Sequence, residues 1–67
     1  MSYHEYLASQ EIGVSDPPFY ALIMAAMRKA DSSNIDLLRE AWPEVWDEFY
    51  ARYHAPGGVL DGERVMA

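Results

Sequence analysis

The sequence predicts an all-α fold: a small bundle of three to four helices around a central apolar helix at about 17–30, closed by a short mobile C-terminal tail. Three observations carry this reading. Apolar residues in 17–30 (PPFYALIMAAMRKA) recur at helical spacing. Serine, aspartate and proline signals cut the remainder into helix-length pieces. No stretch alternates apolar and polar residues as a half-buried strand does. The expected division is one helical domain over 1–60 and a flexible tail over 61–67.

The central helix is apolar nearly all round. Phe19, Leu22, Ile23, Ala26, Met27 and Ala30 form one face. Tyr20, Met24 and in part Met27 line a second, with Ala21 and Ala25 between them. A helix of this kind is buried on most of its sides, and two flanking segments can hardly enclose it. The second face, Tyr20, Ala21, Met24, Ala25 and Met27, is therefore the expected contact with another copy of the chain, most simply a two-fold dimer.

The other elements follow in order. Ser2 with Glu5 reads as a capping box and opens a first helix from about Tyr3 to Glu11. Its Tyr3, Tyr6, Leu7 and Gln10 side must dock on something, because an isolated helix this short is marginal. Gly13 is expected to end it and Val14 to tuck inward. Asp16-Pro17-Pro18 opens the central helix, with proline in the first turn and Asp16 at the positive end of the dipole. Arg28 and Lys29 suit its last turn. Ser33 with Asp36 is a weaker cap for a third helix from about Asn34 to Ala41. Pro43 removes an amide and excludes the α region for Trp42, so a fresh helix starting at Pro43 is favoured over one kinked helix. Val45, Trp46, Phe49, Tyr50 and Tyr53 form its apolar face, and Ala55-Pro56-Gly57-Gly58 ends it. Val59 and Leu60 fold back.

Size makes the balance delicate. A compact 7.6 kDa chain exposes about 4,300 Å² against about 11,000 Å² unfolded, burying about 60%. With about 60% of that apolar, burial contributes on the order of 100 kcal/mol, and ordering the chain costs about the same. The chain has no cysteine to supply a disulfide or a thiolate metal site. Self-association is the expected further source of stability, although many domains of this size fold alone.

The net charge of −6 comes from four acids and two bases in 1–34 and seven acids and three bases in 35–67. That excess argues against direct binding to a nucleic-acid backbone, which needs Lys and Arg against phosphate. No segment has the length of a membrane span, Met1–Leu7 is too polar for a signal peptide, and a cytoplasmic location is expected.

The run Asp16–Asp31 (DPPFYALIMAAMRKAD), Asn34, Leu38-Arg39, Trp42-Pro43-Glu44-Val45-Trp46 and Arg52–Gly58 (RYHAPGG) resembles small proteins of bacteriophages and prophages, over about residues 3–60. The resemblance implies no particular activity and transfers no site residue. It implies an accessory or host-antagonising role, exerted in the host cytoplasm.

Two constellations stand out. Asp36, Glu40, Glu44 and Glu48 are spaced by four and joined by Asp47. They make either a solvated face divided at Pro43 or an acidic surface that mimics the phosphate row of nucleic acid or docks a basic host protein. Like charges at that spacing cost a few tenths of a kcal/mol per pair. Tyrosines exceed what so small a core satisfies: they belong to the core and a subunit interface, or Tyr50, Arg52 and Tyr53 hold a small nucleotide by stacking and phosphate contact. His4 and His54 have no partner at ligand spacing, and no serine is paired with a base, so neither a metal, a cofactor nor an active site is expected. The expected function is non-enzymatic: an accessory binding protein that sequesters or blocks a partner, as in counter-defence. The alternatives are a nucleotide sponge with its site between subunits, or a structural component of the phage.

Overall fold

The computed structural model describes residues 2–63, and every regular element in that range is helical. α1 spans Tyr3–Val14, α2 Phe19–Lys29, α3 Ser32–Ala41 and α4 Pro43–Tyr53, followed by a 3-10 turn at Pro56–Gly58. The all-α class stands. α2, α3 and α4 pack against one another, and the 3-10 turn closes on α4.

α1 begins as its sequence dictates. The Ser2 hydroxyl oxygen accepts from the Glu5 amide at 3.2 Å, and the two side chains meet at 3.3 Å. It does not end at Gly13. The helix runs on to Val14, the Ser15 hydroxyl donates to the Ile12 carbonyl at 2.6 Å, and the Asp16 amide donates to Gly13. Asp16 then turns the chain with φ 53°, a left-handed conformation that Asp tolerates better than most residues. Asp16 thus terminates α1 and does not cap α2. Pro18, extended at ψ 146°, precedes the first turn of α2 and does not occupy it.

Among the described residues the expected docking of α1 is absent. None of the other helices approaches it, all its residues are exposed, and Val14 points outward at 85% exposure. The left-handed Asp16 and the extended prolines after it direct the helix away from the body.

α3 is capped two residues earlier than its serines suggest. The Asp31 carboxylate accepts from the Asn34 amide at 2.9 Å, so Ser32 and Ser33 lie inside the helix. Trp42, at φ −133° and ψ 67°, ends α3 through its amide on the Leu38 carbonyl and starts α4 by accepting from Trp46. Pro43 occupies the first position of a new helix, where its missing N–H has no partner to lose. Pro43→Ala is accordingly expected to change stability by less than about 1 kcal/mol. A denaturant midpoint raised by the equivalent of about 3 kcal/mol would instead indicate a kinked, continuous helix.

The core is small. Among the described residues only Met27, at 3% exposure, and Phe49, at 7%, are buried. Ile23, Leu22, Ile35, Leu38, Val45 and Trp46 surround them half-buried. Met27, expected at a contact between subunits, is instead the centre of this chain's own core, because α4 lies against the Met24–Met27 side of α2. The Arg28 guanidinium sits 5.2 Å from the Phe49 ring centre and Arg39 sits 5.1 Å from that of Trp46. These cation–π contacts tie α2 and α3 to α4, each contributing about 0.5–1 kcal/mol where exposed.

The start of the expected tail is folded. Gly57 and Gly58 both adopt positive φ, and the Gly58 carbonyl accepts from Arg52 Nη1 at 2.8 Å. Arg52 also grips Glu63 through Nη1 at 2.8 Å and Nη2 at 2.6 Å, while the Leu60 amide donates to the same carboxylate. Asp61–Glu63 therefore belongs to the domain, and 64–67 lies outside the described residues.

This clasp has a pH signature. The Arg52 hydrogen bonds, then the Leu60 amide, hold the Glu63 carboxyl down at about 2, against an ordinary 4.5. Glu63 and Glu48 in turn push the Arg52 ionisation up. A depressed carboxyl stabilises the fold fully above its unfolded value, and that stabilisation is lost as pH falls from about 4.5 through about 2. Carboxyl NMR should give Glu63 a midpoint near 2, and Glu63→Gln should flatten the stability profile in that window. A midpoint near 4.5 would show that the clasp does not hold in solution.

Candidate functional site

α4 presents its chemistry on the side away from the core. Val45, Trp46 and Phe49 turn inward, which at 100° per residue leaves Glu44, Asp47 and Glu48 on the solvent side. Glu44, in the first turn, is favoured by the helix dipole.

A recess lies on each side of this acidic ridge. Between α2 and α4, Tyr20, Met24, Glu44, Val45 and Glu48 line about 290 Å³. Between α3 and α4, Asp36, Glu40, Asp47, Arg39, Pro43 and Trp46 line about 310 Å³, and the surface continues along Arg39, Asp47 and Tyr50. The change of direction at Trp42 thus divides the five acids into two groups. Asp36 and Glu40 join Asp47 on one flank, and Glu44 and Glu48 border Tyr20 on the other. Tyr20, 55% exposed, and Tyr50, 54% exposed, stand at the two edges of the ridge.

Of the residues expected to touch a nucleotide, Tyr50 and Tyr53 are exposed on α4 with His54, whose ring lies 4.4 Å from that of Tyr50. Arg52 is not beside them. Its position on the helix turns it toward Glu48, at 3.0 Å, and toward Gly58 and Glu63, so its donors are engaged within the chain. The cations that do meet the aromatic residues are Arg28 and Arg39, neither of which is in an ion pair with a described residue. Sequence reasoning missed both. Arg39 and Trp46 are seven residues apart across a helix break, and Arg28 and Phe49 meet only through tertiary packing.

The recess bounded by Met27, Arg28, Trp46, Tyr50, Tyr53 and His54 holds about 240 Å³ and is open to solvent. That is below the roughly 300–1,000 Å³ of sites that enclose a small ligand. At this recess beside Arg28, one chain alone offers a shallow platform.

Of the expected subunit contact, Ala21 and Ala25 are exposed, Tyr20 is exposed, and Met24 is half-buried next to Val45. α4 of the same chain therefore already borders the face that helical spacing alone leaves open. Among the described residues no three His, Asp or Glu side chains gather as a metal site, and no helix is long and apolar enough to cross a membrane. Comparison with known protein families, curated proteins and solved structures finds no match.

Proposed function

We propose that this chain is a non-enzymatic accessory binding protein of phage type, homo-oligomeric, which blocks or sequesters a basic host protein, as in counter-defence. The observation that carries the reading is the acidic ridge with a tyrosine at either edge. Glu44, Asp47 and Glu48 with Asp36 and Glu40 supply the field that steers a basic partner. Tyr20 and Tyr50 are the kind of rigid, amphipathic anchor that concentrates binding energy at interfaces. The resemblance of the Asp16–Gly58 pattern to phage proteins supports the accessory role.

A second reading, a small-nucleotide sponge, draws on Arg28 and Arg39 lying over aromatic rings. The shallow recess makes it depend on a second subunit to complete the site.

The test places a photo-crosslinking amino acid at Tyr20 or Tyr50 of the chain expressed in its host. The expected product is one host protein at both positions. Its capture should be lost with Glu40→Gln, Glu44→Gln and Asp47→Asn combined, and should weaken as salt rises. Glu48 is left in place because Arg52 uses it. Adducts formed only with further copies of the chain would contradict blocking and favour an assembly component.

A further inference from the structure

The outer groove between α2 and α3 and the unpartnered α1 are two halves of one contact. The groove is an open recess of about 570 Å³ lined by Ala26, Ala30, Leu37, Leu38, Ala41 and Trp42, and it leaves Leu37 64% exposed. α1 carries Tyr3, Tyr6, Leu7, Gln10 and Val14 on one side and Ile12 on the other, all exposed, and among the described residues no other helix packs on it. We infer that α1 of one copy docks in the α2–α3 groove of a second copy, and that the exchange is reciprocal about a two-fold axis.

Four observations select this occupant. The lengths agree, since α1 with 12 residues is about 18 Å long and α2 with 11 is about 16 Å. The charges agree, since α1 carries Glu5 and Glu11 with no Lys or Arg, and Lys29 is the ionisable residue at the groove. Glu11 borders the Leu7 side of α1, and the proposed docking places it opposite Lys29 at the rim. The hinge agrees, because left-handed Asp16 and extended Pro17-Pro18 hold α1 off its own body, the arrangement that favours exchange between protomers.

The area agrees as well. The chain exposes 5890 Å², about 1,600 Å² more than a compact chain of its mass. Counting the five residues outside 2–63 at their unfolded maximum of about 900 Å² still leaves an excess of about 700 Å². A standard interface hides about 800 Å² per partner. The exchange also relieves the instability of an isolated 12-residue helix.

This inference rests on the self-association in the proposed function, and the test separates the two. The chain has no cysteine, so Leu7→Cys and Ala30→Cys variants of the full chain can be mixed and oxidised. The expected product is a mixed covalent dimer of twice 7.6 kDa, absent from either variant alone. In the double variant, a disulfide within one chain would overturn the exchange in favour of folding back. A protein that sediments as a dimer without forming the mixed disulfide would overturn the exchange and leave self-association standing by another face. A monomer would overturn both. Lys29→Glu, a surface change that spares the core, should weaken the dimer several-fold, and adding Glu11→Lys should restore it. Failure of that restoration would count against the Glu11–Lys29 register and the docking it defines.

Discussion

Phe49→Ala is expected to lose about 3–5 kcal/mol and to leave the chain largely unfolded at room temperature. A 67-residue domain has a total stability of only about 3–10 kcal/mol. Phe49 is one of two buried side chains among the described residues, it contacts the rings of Trp46 and Tyr53, and Arg28 lies over it. Truncation removes the apolar area and leaves a cavity that the sparse surroundings cannot fill. Met27→Ala should follow with about 2–5 kcal/mol. Urea unfolding followed by tryptophan fluorescence reads both. A loss below about 1 kcal/mol for Phe49→Ala would mean that the chain has another core.

The second large effect is Met24→Glu. Met24 is half-buried and shares its recess with Val45, Glu44 and Glu48. A third carboxylate there is partly desolvated and faces two like charges, so the expected loss is about 2–3 kcal/mol in the fold of the single chain. Loss of an oligomer in this variant would therefore say little about where subunits meet. Ala25→Glu is the cleaner probe of that face, because Ala25 is exposed and no packed side chain is displaced. If Tyr20, Ala21 and Ala25 contact a second copy, Ala25→Glu should lower its assembly with the melting of the separated chain unchanged. Full assembly in Ala25→Glu would remove this face from the interface.

The local rules of helix formation were legible in the sequence. Four helices and Pro43 at the start of the last follow from capping, proline and apolar spacing. The misplaced boundaries also have local causes. Asp31 outcompetes Ser33 as a cap because its carboxylate reaches the Asn34 amide. Gly13 stays helical because the turn is made three residues later by Asp16, which takes a positive φ that a sequence pattern first assigns to glycine. What spacing alone could not supply is which side of α2 receives α4. That orientation decides that Met27 is core and that Met24 is bordered by its own chain. Arg52 illustrates the same limit. A guanidinium beside tyrosines suits a phosphate, but a carboxylate eleven residues on, Glu63, takes its donors once the glycine turn brings the chain back. Of the candidate site, the acids were visible as a spacing and the tyrosines as an excess. Their arrangement as a ridge with an anchor at each edge depends on the break at Trp42.

The central claim is that one chain does not bury enough of itself and that a second copy completes it. With the residues outside 2–63 set aside, the chain hides about half of its unfolded surface, short of the about 60% typical of its size. Sedimentation equilibrium across micromolar concentrations, paired with melting curves at the same concentrations, measures this directly. The account predicts a species of twice 7.6 kDa and a melting temperature that rises with concentration, because association stabilises the folded state by mass action. A monodisperse monomer whose melting temperature does not change with concentration would contradict it.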